Sequence, residues 1–255
     1  MRIKEMNREA TGLAGARHLS FDTLGSTNAE ALARARAGER GPLWITAKAQ
    51  SAGRGRRGSG WVSLPGNLYA TLLLSEPSPL PLAPQLSFVA ALALHDAVSE
   101  CAPRLGPALK VKWPNDLLFG QGKLAGILIE GESKPVFAVA IGIGVNCASH
   151  PVGTPYPATN LSAVGATVAP ETLLAALAHA MKRRLEQWQR GEGFAGIRND
   201  WLKRAAGLGE PIRVRLTERE FSGRFHGLDE AGRLLVEQPG GMITVTAGEV
   251  FRLEN

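Results

Sequence analysis

The sequence predicts an α+β protein in which a large domain of strands and helices is followed by a small all-β domain. Two apolar runs, residues 43–48 and 68–74, have the length and composition of strands. Residues 170–190 carry apolar side chains at the spacing of an amphipathic helix. After Gly209, short strand-like runs recur about ten residues apart, which is typical of a small β-barrel.

The composition is that of an ordinary globular chain, and the charge narrows the choice of partners. The 255 residues are enough for one large domain with its own core and a small second domain. A hydrophobic content of 44% and a charged content of 20% exclude extensive disorder. The net charge of +6 favours an acidic partner, which is a nucleotide, a nucleic acid or an acidic protein.

The sequence also predicts a cytoplasmic protein that does not enter a membrane. Its two cysteines, Cys101 and Cys147, are too few for a disulfide framework and suit a reducing compartment. The N-terminus lacks the apolar segment of a signal peptide. The longest apolar run, residues 136–145, is too short to cross a bilayer.

Taken in order, the chain begins with residues 1–20, whose weak periodicity predicts a lead-in segment. A helix is predicted over residues 29–37. Thr27 and Glu30 have the spacing of a capping box at its start, and Gly38 is suited to end it.

Three consecutive polar residues, Ser26, Thr27 and Asn28, mark the start of this helix. The first N–H groups of a helix have no partner inside it and lie at the positive end of its dipole, so a polar ligand can bind there. The alternative is that these side chains only cap the helix.

A loop rich in glycine and arginine, residues 53–60, follows the first apolar strand. Glycine does not restrict the backbone and neighbouring guanidinium groups repel each other, so this loop needs an anion to order it. Its freed N–H groups and Arg54, Arg56 and Arg57 are suited to an oxyanion or a ureido carbonyl. A solvated loop that rests on RNA is the other interpretation.

The middle of the chain predicts a helix followed by a hairpin. The helix covers residues 85–101. Residues 109–113 form a strand that Pro114 stops, and after a glycine turn the chain returns as a strand over residues 123–130.

Glycines in two predicted strands mark places where a ligand or a backbone can come close. Alternation along the returning strand puts Lys123 on one face and Gly126 on the other. In the strand 136–146, Gly142 and Gly144 share a face and leave a flat floor for a planar ring. Close packing of a helix on the sheet explains these two glycines equally well.

The last part of the chain predicts one more helix, residues 194–204, and then the small barrel. The predicted barrel strands are residues 212–216, 221–228, 234–238, 243–246 and 250–253. A barrel of this size is close to the minimum for folding alone, so we expect it to dock on the larger domain.

Five motifs occur together in the first part of the chain. They are Ser26-Thr27-Asn28, Gln50 with Gly53-Arg54-Gly55-Arg56-Arg57-Gly58, Lys112-Trp113-Pro114-Asn115-Asp116, Lys123-Leu124-Ala125-Gly126-Ile127 and Gly142-Ile143-Gly144-Val145-Asn146. In this order the set resembles the biotin protein ligase family. The resemblance implies a mixed sheet with flanking helices, similar to the catalytic domain of class II aminoacyl-tRNA synthetases, and an SH3-like C-terminal β-barrel. It implies a catalytic domain at residues 21–207 and a barrel at 208–255, after the lead-in at 1–20.

The resemblance also implies a two-step reaction. The family joins biotin to ATP, which gives biotinyl-5′-adenylate and pyrophosphate. It then passes the biotinyl group to a lysine of a biotin carboxyl carrier domain, in acetyl-CoA carboxylase or another biotin-dependent carboxylase. Because a carboxylate must approach a phosphate, cations aimed at that point are the needed catalysts. Mg²⁺ is expected with ATP, although no carboxylate cluster in the sequence marks its ligands.

The motif matches imply roles for individual residues. The implied biotin-binding residues are Ser26, Thr27, Asn28, Gln50, Arg54, Gly55, Arg56, Lys123 and Gly126. The implied nucleotide-binding residues are Arg54, Arg57, Trp61, Asn115, Lys123 and Asn146. The implied catalytic residues are Lys123, Arg56 and Asp116. Asp116 is expected to take a proton from the acceptor lysine or to orient its amine, or else to serve only in the turn after Pro114.

Some members of the family are repressors with an N-terminal DNA-binding domain. Only about 20 residues precede the first motif here, too few for a helix-turn-helix unit, so we expect a monofunctional ligase that does not bind DNA. A homodimer is one open possibility for the oligomeric state. Two other functions stay open on the sequence alone: a lipoate ligase with the same acyl-adenylate chemistry, and a basic RNA-binding protein.

Overall fold

The computed structural model describes residues 10–154 and 156–252, and its largest element is an eight-stranded sheet. The strands of this sheet are β1 (Ala10–Leu13), β2 (Ala16–Leu24), β3 (Leu43–Gln50), β4 (Leu68–Ser75), β5 (Leu109–Lys112), β6 (Asp116–Phe119), β7 (Gly122–Glu132) and β8 (Ala138–Val145). Their order across the sheet is β1-β2-β3-β4-β8-β7-β6-β5. Strands β2 and β3 are parallel, and the other neighbours are antiparallel. The predicted mixed sheet is therefore confirmed.

Helices cover both faces of the large sheet. They are α1 (Thr27–Arg36), α2 (Leu86–Cys101), α3 (Pro170–Trp188) and α4 (Phe194–Lys203). Along β3, Leu43 and Ile45 pack in a small core with α1, whereas Trp44 between them packs in the main core with the other three helices. The period of two in a strand thus separates the two cores.

The side chains of β8 that face α1 become smaller along the strand. Ala138 and Ala140 pack under α1, and the next two residues on that face are Gly142 and Gly144. Because the glycines have no side chains, the sheet is open beside the first turn of α1. The residues on the opposite face, such as Ile141 and Ile143, stay large and fill the main core.

The C-terminal part of the chain forms a second, five-stranded antiparallel sheet. Its strands are β9 (Pro211–Arg215), β10 (Glu220–Leu228), β11 (Leu234–Gln238), β12 (Gly241–Val245) and β13 (Glu249–Arg252), in the order β12-β11-β10-β9-β13. Its apolar residues join the main core. The indole N–H of Trp113 also donates a hydrogen bond of 3.2 Å to the carbonyl oxygen of Gly232. The small domain therefore docks on the large one, as its size predicts.

The first helix after the prolines is strongly apolar. Within the described residues, Leu80–Cys101 is the one stretch with the length and apolar composition of a membrane span. Most of that stretch is buried inside the protein, and α2 lies at the centre of the main core. A buried core helix of a globular protein has the same composition.

The structure differs from the sequence prediction at two places near the N-terminus. The part of the predicted lead-in that is described forms β1 and β2, while residues 1–9 lie outside the described residues. Strand β2 is half exposed and mostly polar, so its apolar period is weak. The helix α1 begins at Thr27, and its N-cap is Ser26, whose hydroxyl accepts from the N–H of Ala29. The side chain of Glu30 pairs with Arg34 at 2.7 Å and does not close a capping box.

The contact between the domains generates a stability prediction at Gly232. Its φ of +82° is in the left-handed region, and an added Cβ would lie 2.8 Å from the ring of Phe88. We expect Gly232→Ala to lower the free energy of unfolding by about 1–3 kcal/mol in urea titrations, through backbone strain and overpacking. Gly240→Ala is the control, because an added Cβ there meets nothing within 4 Å. Equal stability of the two variants would contradict the tight docking.

Candidate functional site

A cavity of about 390 Å³ lies beside the first turn of α1, where the glycines open the sheet. It brings together most of the predicted site residues: Ser26, Thr27, Asn28, Gln50, Arg54, Gly55, Arg56, Trp61, Asn115, Asp116, Lys123 and Gly126. The predicted nucleotide contacts Arg57 and Asn146 do not line it. Residues from segments far apart in the sequence therefore meet in one place.

The polar end of the cavity is a preorganised hydrogen-bond network. The side-chain oxygen of Gln50 accepts from the backbone N–H of Thr27 at 2.8 Å and from its hydroxyl at 3.1 Å. The side-chain nitrogen of Gln50 donates to Ser63 at 2.9 Å, which fixes the orientation of the amide. The hydroxyl of Ser26 caps the helix as an acceptor, so its hydrogen is left for a ligand. Capping and ligand binding are thus compatible at this helix start.

Asn28 is held by the sheet rather than left free for a ligand. Its side-chain nitrogen donates to the carbonyl of Leu128 at 3.2 Å and to the carboxylate of Glu130 at 2.8 Å. Its side-chain oxygen lies 2.7 Å from the hydroxyl of Thr71, over the space that a Cβ on Gly142 would fill. Both amide hydrogens have acceptors in the protein, so Asn28 shapes the pocket wall, and its direct contact with biotin stays a prediction.

The flat surface predicted at Gly142 and Gly144 is present, and the indole ring of Trp61 lies on it. A Cβ on Gly144 would lie 2.6 Å from the indole, and one on Gly126 would lie 2.9 Å from it. The indole nitrogen is buried and has no hydrogen-bond partner among the described residues. An unpaired buried donor of this kind suits an acceptor atom on a bound ligand.

Three charged side chains form the centre of the site. The carboxylate of Asp116 lies 2.9 Å from the ammonium of Lys112 and 2.8 Å from that of Lys123. All three side chains are at most 18% exposed. Burial alone would raise the pKa of Asp116, but the two ammonium groups outweigh it and lower the pKa below its ordinary value. Asp116 is therefore an ionised anchor for two cations.

The structure corrects the predicted orientation of Lys123. Strict alternation would put Lys123 and Gly126 on opposite faces, but β7 contains a register shift against β6. Adjacent β6 residues pair with Ala125 and Lys123, which leaves Leu124 unpaired. This extra residue brings the ammonium of Lys123 within 3.4 Å of where a Cβ on Gly126 would lie. The bulge thereby turns the lysine into the cavity.

Arg56 is a second cation at the cavity, and it bridges the two domains. Its guanidinium donates to the carbonyl of Gly248 at 3.2 Å and, more weakly, to the side-chain oxygen of Asn115 at 3.5 Å. Burial, and then repulsion from Arg57, lower the pKa of Arg56. A bound anion would relieve that repulsion, so Arg56 suits a phosphate or carboxylate.

The small domain contributes residues that the sequence reasoning missed. Arg215, Glu249 and Phe251 line the cavity, and the ammonium of Lys112 lies 3.4 Å from the carbonyl of Val250. The barrel contacts use mostly backbone carbonyls, which have no sequence signature. Lys112, in contrast, stands in the same motif as Asp116 and could have been found there.

Asn146 and Tyr156, near the predicted nucleotide contacts, make interactions that the sequence did not predict. The side-chain nitrogen of Asn146 donates to the carbonyls of Thr159, at 2.9 Å, and Lys123, at 3.4 Å, so Asn146 ties the following loop to β7, and its contact with adenine stays a prediction. Tyr156 in that loop was not predicted, yet its ring lies 5.1 Å from the ammonium of Lys123 and lines the cavity. The ring of Trp61 lies 5.4 Å from the same ammonium, so two aromatic rings are within cation–π distance of Lys123.

Known proteins resemble the chain over nearly its whole length. A model of the Biotin/lipoate A/B protein ligase family matches residues 24–146, and one of the Biotin protein ligase C terminal domain matches residues 207–253. The chain is 47% identical over 235 residues to a biotin–acetyl-CoA-carboxylase ligase of Paracoccus denitrificans, with 89% of this chain and 96% of that protein covered. The corresponding ligase of Mycobacterium tuberculosis is 32% identical, with 90% and 86% covered. A solved biotin protein ligase of Aquifex aeolicus in complex with biotin and ATP superposes with a TM-score of 0.79 at 26% identity, covering 92% of this chain and 99% of that one.

The charged centre generates a prediction for Asp116→Asn. The variant leaves two buried ammonium groups without a counter-ion, so we expect the free energy of unfolding at pH 7 to fall by about 3–5 kcal/mol. Folding lowers the pKa of Asp116, so its contribution is present in full above the ordinary value of 3.8 and is lost as the pH falls through the lowered pKa. The stabilities of the variant and the wild type should therefore converge in acid.

Urea titrations from pH 7 down to pH 3 measure this difference. Asp22→Asn is the control, because Asp22 pairs with Lys48 at 2.8 Å on the surface and its side chain is 68% exposed. We expect a change of at most about 1 kcal/mol for that exposed pair. A constant difference between Asp116→Asn and the wild type across the pH range would contradict the role of the carboxylate charge.

Proposed function

The chain belongs to the Biotin/lipoate A/B protein ligase family and is a biotin protein ligase, and we propose how its own residues perform the two steps of the reaction. In the first step, a carboxylate oxygen of biotin attacks the α-phosphorus of ATP, and the bond to the pyrophosphate leaving group breaks. In the second step, the amine of the acceptor lysine attacks the acyl carbon, loses a proton, and releases AMP.

Lys123 and Arg56 carry the first step in this proposal. The supporting observation is the position of the Lys123 ammonium, which lies at the cavity near two aromatic rings and is anchored by a buried carboxylate. A fixed cation in a largely buried site stabilises the charge that grows at the phosphorus, with little reorganisation. Arg56 adds a second charge from the loop side of the cavity.

Asp116 orients groups in this proposal and does not act as a strong base. Its lowered pKa means that the carboxylate holds a proton weakly, and both of its oxygens face ammonium groups. Of the two sequence-based roles, proton removal from the acceptor lysine is therefore disfavoured. Orientation of Lys123, and of the incoming amine beside it, fits the geometry better.

The biotin ureido group is assigned to the polar end of the cavity. A ureido group offers one acceptor and two donors, and Ser26, Thr27 and Gln50 supply hydroxyl and amide groups at that end. A dithiolane ring, as in lipoate, has no N–H donor and only weakly accepting sulfur atoms, so it matches this polar end less well than a ureido group does. RNA binding by the loop is also disfavoured, because Arg54 and Arg56 are engaged in contacts at the cavity.

Further parts of the function are proposed from chemistry. The partner is the biotin carboxyl carrier domain of acetyl-CoA carboxylase or a similar carboxylase, the location is the cytoplasm, and a homodimer is compatible with both steps. Among residues 10–154 and 156–252, no group of three His, Cys, Asp or Glu side chains is placed to hold a metal ion. The two oxygens of Asp116 lie within 2.9 Å of the ammonium groups of Lys112 and Lys123. Mg²⁺ would be coordinated mainly by the phosphates of ATP.

The test is pyrophosphate release from ATP with biotin or with lipoate. We expect release with biotin only, and we expect Lys123→Ala to lower its rate at least about 100-fold, as for loss of a preorganised charge. Lys182→Ala is the control, since Lys182 pairs with Glu186 on an exposed face of α3. Release that depends on lipoate, or a Lys123→Ala variant as fast as the control, would refute the proposal.

A further inference from the structure

One carboxylate oxygen behind the cavity holds two site residues at once. The Oε2 atom of Glu130 lies 2.9 Å from the guanidinium of Arg54 and accepts a 2.8 Å hydrogen bond from the side chain of Asn28. Glu130 does not line the cavity itself. We propose that Glu130 is a positioning residue that latches the glycine–arginine loop (residues 53–60) to the wall of the biotin pocket, and this rests on the ligase function proposed above.

The pocket side of the latch is rigid. Asn28 is only 3% exposed, and its amide is also bound by the carbonyl of Leu128 and the hydroxyl of Thr71. The same Thr71 hydroxyl lies 2.8 Å from the hydroxyl of Thr27, and the backbone N–H of Thr27 donates to the side-chain oxygen of Gln50 at 2.8 Å. Glu130 is therefore joined through short hydrogen bonds to the groups assigned to the ureido ring.

On the loop side, Glu130 contacts Arg54 in the neck of the loop, which is the paired region formed by residues 53–54 and 60–61. Arg54 pairs with Gly60 in an antiparallel bridge, and the N–H of Trp61 donates to the carbonyl of Gly53 at 2.9 Å. The contact of Glu130 with Arg54 therefore fixes both ends of the loop and, through them, the position at which the chain continues to Trp61. Beyond this neck the loop contacts the small domain through Arg56, whose guanidinium donates to the carbonyl of Gly248 at 3.2 Å.

The charge of Glu130 matters as well as its hydrogen bonds. The loop carries three arginines within four residues, and these repel one another. Glu130 pairs with the first of them, which leaves Arg56 at the cavity for a bound anion. The arrangement separates a structural cation, Arg54, from the cations available to the adenylate. The same carboxylate contacts the loop through Arg54 and the pocket wall through Asn28, so the position of the loop is coupled to the shape of the biotin pocket.

The test uses Glu130→Gln, which keeps an acceptor for Asn28 and removes the charge that holds Arg54. The control is Glu132→Gln, two residues further along β7, where the carboxylate pairs with Arg36 of α1 at 2.9 Å, away from the cavity. We expect Glu130→Gln to raise the KM for biotin about tenfold, with a smaller change in kcat for pyrophosphate release, as for loss of one charge-assisted contact. Glu132→Gln should match the wild type.

Limited trypsin digestion gives a readout that does not depend on turnover. Cleavage after the loop arginines should be faster in Glu130→Gln than in Glu132→Gln without ligand, and biotin should protect the wild type more than the Glu130 variant. In an Arg54→Gln background the Glu130→Gln change should have little further effect on KM, because the partner is already absent. Arg54→Gln alone keeps the proposal testable if Glu130→Gln does not fold.

The outcomes separate the latch from the function on which it rests. A wild type without biotin-dependent pyrophosphate release would refute the ligase proposal. An active wild type whose Glu130→Gln variant has unchanged KM and unchanged loop cleavage would refute only the latch. Fully additive effects of Arg54→Gln and Glu130→Gln on KM would also refute it, because two partners of one contact cannot act independently.

Discussion

The site depends on one buried carboxylate, Asp116, which pairs with two ammonium groups inside the protein. Taking ions out of water costs several kcal/mol each, and only close opposite charges offset that cost. Lys112 and Lys123 approach from two strands, so the carboxylate also fixes how the hairpin of β5, β6 and β7 packs at the cavity. Lys112 in turn reaches the carbonyl of Val250, which connects the small domain to the same charge centre.

A second constraint is the absence of side chains on one face of the sheet. Gly142 and Gly144 on β8 lie beside Gly126 on β7, because β7 and β8 pair Gly126 with Gly144. This register gathers three missing side chains into one area and leaves space for Asn28 and Trp61. The charge centre and the open floor are neighbours for the same reason, since Asp116 pairs with Gly126 across β6 and β7.

Sequence reasoning found the parts of the site that depend on local chemistry. The five motifs meet at one cavity, and the helix at residues 27–36, the hairpin and the small barrel all form near the predicted positions. It failed where geometry depends on distant contacts. A one-residue bulge reversed the face of Lys123, and the hydrogen bond of Asn146 to the carbonyl of Thr159 has no signal in the sequence. The carbonyls of Gly248 and Val250 could not be predicted, because every residue type offers the same acceptor.

The walls of the cavity divide into fixed and movable parts, and the chemistry needs both. A mixed anhydride must be kept from water, yet a lysine on another protein must reach it. The sheet, the Gln50 network and the Asp116 cluster are held by short contacts within strands and helix ends, so they keep their shape without a ligand. The loop at residues 53–60 has mostly glycine and arginine, so its position depends on charges rather than packing. Since charges on both sides of the loop compete for its arginines, binding of an anionic intermediate and release of AMP can change its position without disturbing the core.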